Sequence, residues 1–168
     1  MHIVKVEREL VSTAKARGVA EREMAVSAER LFATLEDGSL YSQWVPAIRQ
    51  VTWTSAKPFG TGTTRTVNLV GGARVDEVFW AWETNRQIGF SISASSMRWL
   101  TALAELYEIT AVSPDRCKLR WTLAVRLSGV LGRVEPYIGR HMASAQNRML
   151  KTLERVARAR PVPRRSEV

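Results

Sequence analysis

Arg65, Glu77, Glu105, Tyr107 and His141 are the residues whose types and spacing can do chemistry in this 168-residue chain. Glu105 is the sharpest. In the run Leu100–Val112, simple alternation places Leu103, Glu105, Tyr107 and Ile109 on one side,. A carboxylate on an apolar face loses its hydration unless it is partnered, and such burial raises its pKa toward that of a general base. Two other readings stay open. Arg65 or Arg22 can match the charge, or a bulge can turn Glu108 inward and Glu105 out.

Arg65 and Glu77 meet through a hairpin. With Val70-Gly71-Gly72 as a three-residue loop and glycine at the left-handed position, Leu69 faces Ala73, Val67 faces Val75 and Arg65 faces Glu77,. One face then collects Val67, Leu69, Val75 and Phe79, and a two-residue loop would mix polar with apolar positions. Arg65 and Glu77 become a cross-strand pair on the inward face. They either present a charged handle to a ligand carbonyl or carboxylate, or fix the strand register as an ion pair.

His141 lies near the inward stripe of a long C-terminal helix and reads either as an acid–base group or as a half-exposed boundary residue. With His2 as the only other histidine, no metal site can be assembled,. Cys117 has no base beside it and reads as a small core residue. The absence of a phosphate-binding glycine loop, a Ser-His-Asp pattern and a dinucleotide fingerprint leaves no cofactor expected.

The elements that must position these groups follow a clear order. Val19–Val26 alternates as a first strand. Ser27 caps a helix over Ala28–Leu35, and a short helical piece Ser39–Val45 stops at Pro46. Six strands follow: Arg49–Thr54, Thr63–Val70, Ala73–Glu83, Arg86–Ala94, Leu100–Val112 and Cys117–Leu127,. Their short, turn-rich links favour an antiparallel meander. After a flexible link around Ser128–Gly132, a helix spans about Glu135 to Arg160. Its inward stripe reads Val134, Ile138, His141 or Met142, Ala145, Met149, Leu153 and Val156.

Strands in series followed by one closing helix make a bent sheet with a helix across its concave side. Phe79, Phe90, Tyr107 and Trp121 are expected to face the interior, with Met142 and Met149 approaching from the helix. Rings with adaptable methionines suit an apolar ligand cavity and equally suit a filled core. Trp80 and Trp82 have the opposite parity to Phe79 and are expected on the outer face. Covering them would take residues 1–17 or a second subunit in a homodimer.

Composition sets the bounds. The chain is 45% hydrophobic and 24% charged, as expected of one soluble domain,. No apolar run reaches the roughly 18 residues of a membrane span. Glu7 and Glu9 interrupt any leader-like core, so a cytoplasmic protein is expected. The net charge is +9. From Arg133 onward, nine Lys or Arg stand against three acids. That excess reads as a solvated helix face with a basic tail, or as attraction to nucleic acid or an anionic membrane. Without a nucleic-acid-reading motif, no specific nucleic-acid partner is expected.

On these residues the chain resembles the START-like (SRPBCC) superfamily, in particular its polyketide cyclase/dehydrase branch. The resemblance is carried by Val26-Ser-Ala-Glu-Arg-Leu-Phe-Ala33 and by Trp44-Val-Pro46. It continues through Gly60-Thr-Gly62 followed by Arg65, Glu77 and the closing helix, over about residues 19–158. It implies an α+β helix-grip fold: a bent antiparallel sheet wrapped around a long C-terminal helix, with two short helices after the first strand. Members of that superfamily bind lipids, sterols, polyketides or plant hormones, and some cyclise aromatic polyketides.

The expected organisation is an N-terminal extension (1–17), a ligand-binding domain (18–160) and a disordered basic tail (161–168). The expected activity is binding of a small hydrophobic molecule, as carrier or sensor. The alternatives are an aromatase/cyclase-like enzyme and a ligandless module acting through the basic helix. The expected ligand contacts are Arg65, Glu77, Phe79, Phe90, Glu105, Tyr107, Trp121, His141, Met142 and Met149, with no residue assigned as catalytic or metal-binding.

Overall fold

In the computed structural model, residues 1–3 and 8–160 are described. The expected tail 161–168 lies outside them. The alternating segments form strands within one or two residues of the bounds expected for the meander. They are β3 (Ile48–Trp53), β4 (Thr64–Leu69), β5 (Arg74–Glu83), β6 (Gln87–Ser95), β7 (Leu100–Ser113) and β8 (Arg116–Leu127). The first long strand, β2 (Ala16–Met24), starts three residues earlier than expected and pairs with β8, so the antiparallel order is β2-β8-β7-β6-β5-β4-β3. A two-residue strand, β1 (His2–Ile3), joins the end of β6.

Hairpin chemistry fixes the register as the glycines require. Leu69 N–H donates to the Ala73 carbonyl, and Gly71 and Gly72 take φ of 90° and 86°, where a side chain would be strained,. Arg65 stands opposite Glu77 and Val67 opposite Val75. Two bulges then bend the sheet. Ser93 is the extra residue of β6 opposite Asp76 and Glu77, and Trp80 is the extra residue of β5 between Phe79 and Ala81.

The second bulge corrects the expected outer tryptophan stripe. By inserting one residue it restores Trp82 to the inner face, where the indole packs edge-on to Phe32, Phe79 and Phe59. Trp80 stays outside but lies flat over Gly89, where a Cβ would come 2.6 Å from its ring, and its Nε1 donates to Ser91 Oγ at 3.0 Å. Trp80 and Trp82 therefore do not share an outer face. The N-terminal segment covers a different patch. Leu10 of α1 (Leu10–Thr13) is buried against Ala102, Ala104 and Ala124 on the outer side of β7 and β8.

Three helices line the concave side, α2 (Ala28–Glu36), α3 (Tyr41–Trp44) and α5 (Glu135–Ala159). Ser27 caps α2, accepting from Arg30 N–H at 3.2 Å,. The link after β8, expected to be flexible, holds a short helix, α4 (Val130–Arg133). The long helix α5 runs along the edge strand β2, and its contact face is rotated from the stripe drawn by hydrophobicity. Its buried residues are Glu135, Gln146, Leu150, Leu153 and Ala157. At Gly18 of β2 a Cβ would fall 2.6 Å from Met142 Cβ and 3.1 Å from the Ala143 nitrogen. Gly139 in turn rests on the backbone of Lys15 and Arg17. Small residues permit this approach, and Glu154 locks the far end by accepting from Arg22 Nε at 2.8 Å and Ala25 N–H at 3.0 Å.

Burial is graded along the inner face. On β8, Cys117, Leu119 and Trp121 are buried, whereas Leu123, Val125 and Leu127 are part-exposed. On β7, Ile109 and Tyr107 are buried, whereas Glu105 and Leu103 are part-exposed. Ile138, Met142, Ala145 and Met149 of α5 are likewise only partly covered. Side-chain burial is complete toward the end where β2 finishes at Met24 and falls off toward the end where β8 finishes at Leu127, called the open end.

Gly18→Ala is expected to cost about 1–3 kcal/mol, because the added methyl must push α5 off β2. Urea unfolding checks this. A lowered midpoint with unchanged slope is the expected outcome, and an unchanged midpoint would show that the helix is not seated on this glycine.

Candidate ligand-binding site

The interior is organised around two carboxylates in unlike surroundings. Arg65 is 1% exposed, and its Nε donates to Glu77 Oε2 at 2.5 Å. Four rings from four elements surround its guanidinium carbon: Tyr41 and Phe90 at 4.5 Å, Phe79 at 5.0 Å and Trp53 at 5.4 Å. Ring faces attract a cation more strongly when water is excluded. Burial opposes the guanidinium charge, but Glu77 and Tyr41 outweigh it and hold Arg65 above its ordinary range. Burial also pushes Glu77 up, against the pull of Arg65. Arg65 Nη1 and Trp44 Nε1 are buried donors without a hydrogen-bond partner. Arg65 and Glu77 thus form the expected cross-strand pair on the inward face.

Glu105 points inward. Phe90 and Leu123 are its cross-strand neighbours. Its partner is neither Arg65 nor Arg22, since Arg22 binds Glu154. Glu108 does not replace it, lying on the other face 3.8 Å from Arg120. Glu105 is instead held by neutral donors. Tyr107 Oη at 2.5 Å and Trp121 Nε1 at 2.9 Å both donate to Oε2. Burial raises its pKa to about 7, against the lowering effect of the Tyr107 bond. Burial and the adjacent Glu105 keep the Tyr107 phenol well above its usual value, so it stays a neutral donor. Both bonds end on Oε2, and the residue as a whole is part-exposed. Around neutral pH the group exists in both states, one donating a proton and the other accepting it.

The aromatic wall behind it is continuous. Tyr107 stacks on Trp121 at 5.4 Å and 15°, Phe90 lies beyond Tyr107, and Trp44 stands edge-on to both Tyr107 and Trp121. Tyr41 and Trp44 are not among the expected ligand contacts, although Trp44 belongs to the Trp44-Val-Pro46 motif. Their signal is the spacing Leu40, Tyr41, Trp44, Val45 before Pro46, an apolar face on a helix too short to reveal a period. The structure brings together Arg65, Glu77, Phe79, Phe90, Glu105, Tyr107 and Trp121 of the expected set. Met149 packs against this cluster from α5, whereas Met142 lies over Gly18 of β2; both are part-buried. His141 does not join them. It is exposed, because α5 turns its small-residue face to β2. Cys117 is buried at the closed end, its thiol pushed up to about 11 by burial. A separate surface cleft of about 250 Å³ beside Trp53, Phe59 and Asp37 contains none of the expected contacts.

Two outcomes test these assignments. Arg65→Met leaves Glu77 buried without its cation and is expected to cost about 3–5 kcal/mol, most of which the double change Arg65→Met/Glu77→Leu restores. A small single-variant loss in chemical unfolding would remove the pair from its central place. For Glu105, the folded pKa of about 7 lies above the ordinary 4.5. Its stabilising protonation is therefore fully present below the lower value and lost as pH rises through the upper one. Relative to Glu105→Gln, the natural protein should lose about 3 kcal/mol between those limits. Parallel stability–pH curves for the two proteins would contradict the assignment.

Residues 15–158 match the family model described as polyketide cyclase / dehydrase and lipid transport. Uncharacterised proteins of Mycobacterium tuberculosis and Mycobacterium bovis are each 38% identical over 139 residues, 82% of this chain and 82% of theirs. A START superfamily protein from Mycobacterium smegmatis shares the fold with a TM-score of 0.70 at 19% identity, covering 86% of this chain and 99% of that one. The aromatase/cyclase Zhui from Streptomyces sp. R1128 does so with a TM-score of 0.62 at 13% identity, covering 84% and 93%. With its bent antiparallel sheet and long C-terminal helix, this chain belongs to the polyketide cyclase / dehydrase and lipid transport family.

Proposed function

We propose that the protein binds a small, largely apolar molecule on its concave face, as a carrier or sensor, with a polar group of the ligand addressed to Glu105. The observation that carries this reading is a half-buried carboxyl held by two neutral donors at the open end of an aromatic wall. A core that is merely filled would gain from an apolar residue here, since a carboxyl among rings without a cation costs stability even when neutral donors hold it. A bound carbonyl, phenol or hydroxyl would complete its hydrogen bonding. The apolar body of the ligand would lie between Leu103, Leu123 and Met149. Arg65 contributes a fixed positive potential from behind the rings.

A second reading is an enzyme of the aromatase/cyclase kind, favoured by the same carboxyl titrating near neutrality, where it can give and take a proton in one cycle. In that reading Glu105 is the general acid–base and Tyr107 holds it in place.

The first test is native mass spectrometry of freshly purified protein with organic extraction of any bound molecule. A discrete lipid- or polyketide-sized mass is the expected result. Leu123→Trp, which fills the open end, should abolish its retention. Glu105→Leu should weaken it about 10-fold or more by removing the polar contact. A clean apo mass, together with no thermal shift from a panel of fatty acids and polycyclic aromatics, would count decisively against the binding reading. Loss of turnover in Glu105→Gln with binding retained would favour the enzyme.

A further inference from the structure

The open end of the sheet carries an apolar surface that neither the core nor the proposed ligand site uses. The hairpin after β4, the loop before β7 and the link containing α4 all lie there. Ser96 N–H donates to the Arg74 carbonyl, and Ser128 N–H to the Trp99 carbonyl, each at 2.9 Å. Gly132 lets α4 sit against the end of β8, where a Cβ would come 2.9 Å from the Leu127 carbonyl oxygen. On these connected segments Val70 is 67% exposed, Trp99 45%, Val130 74%, Leu131 41% and Val134 38%. Large apolar side chains gathered at one end of a soluble domain mark an interaction surface.

The charges of the same segments have one sign. Within residues 96–101 and 126–141, Arg98, Arg133 and Arg140 are exposed cations. The single acid there, Glu135, is turned inward at 8% exposure, its Oε1 accepting from Leu127 N–H at 2.6 Å. A tryptophan and branched aliphatics ringed by arginines match the chemistry of a bilayer interface, with side chains entering the acyl boundary and cations over lipid phosphates. A second copy of the chain is a poorer match, because a two-fold contact would set this positive rim against itself. Nucleic acid fits less well, since valine and leucine offer bases neither stacking nor hydrogen bonds.

We infer that the open end docks peripherally on an anionic lipid bilayer through Trp99 and α4, with Arg98 and Arg133 over the headgroups. Among the described residues no helix is long and apolar enough to cross a membrane, so the contact is interfacial. Docking stands on this surface alone and holds whether or not the concave face binds a ligand. It would press the part-exposed mouth (Leu103, Val125 and Leu127) against the lipid.

The test is cosedimentation of the full chain with vesicles of phosphatidylcholine alone and of phosphatidylcholine mixed with phosphatidylglycerol. Binding is expected only to the mixed vesicles, weakening with salt. Arg98→Glu/Arg133→Glu should reduce it by about tenfold or more, and Trp99→Ser/Leu131→Ser should reduce it comparably without reversing a charge. Lys151→Glu/Arg155→Glu, at the opposite end of α5, should bind like the natural protein. All these side chains are exposed or partly so, and matching thermal midpoints confirm that the variants fold. The inference is overturned by failure to sediment with the mixed vesicles, by equal binding to the neutral ones, or by loss of binding in the Lys151/Arg155 variant. It is likewise overturned if sedimentation velocity shows a dimer that Trp99→Ser/Leu131→Ser dissolves. Ligand retention measured on the same variants separates failure here from failure of the binding reading.

Discussion

A guanidinium taken out of water sets the terms for this fold. Arg65 sits on the concave face, and everything near it is arranged to make that position tolerable. Glu77 neutralises it from the neighbouring strand, while rings from α3, β3, β5 and β6 present their faces to it. Each contact alone is modest, yet each ties a different element to one point. A one-residue slip of β4 against β5 would carry the cation to the outer face and leave Glu77 alone within. The ion pair therefore contributes specificity more than net stability, as buried pairs can.

That arrangement also explains why a second carboxylate nearby behaves differently. Glu77 has a cation, whereas Glu105 has a phenol and an indole, so one carboxyl has a fixed counter-charge and the other is poised between its two states. Burial pushes both carboxyls up, but only Glu77 stands beside a cation that opposes the shift at close range. The graded burial along β7 and β8 then leaves the poised one at the accessible end of the interior.

Much of this was legible in the chain. The strand meander, the Gly71-Gly72 register and the inward direction of Glu105 follow from alternation and turn chemistry, because side-chain parity in a strand is strict. What failed did so for local reasons. Trp82 was assigned to the outside because a single inserted residue at Trp80 reverses parity, and nothing in the composition of β5 announces a bulge. His141 shares the inward stripe with Met142 as one of its two readings because hydrophobicity picks the greasiest stripe of a helix. Here α5 seats its smallest residues, Gly139 and Ala143, on an edge strand opened by Gly18. Trp44 was not among the expected contacts because a four-residue helix has no period to read.

The hydrogen bond from Trp121 to Glu105 has an optical consequence. An indole bonded to a carboxyl that titrates near neutrality has its excited state modulated by that proton. Trp44 lies 5.8 Å from Trp121, and Trp53 and Trp82 belong to the same ring network through Phe79. Excitation absorbed anywhere in this array can migrate toward the site before emission. The emission of these four tryptophans would then follow the state of one carboxyl, with Trp80 and Trp99 standing outside the array.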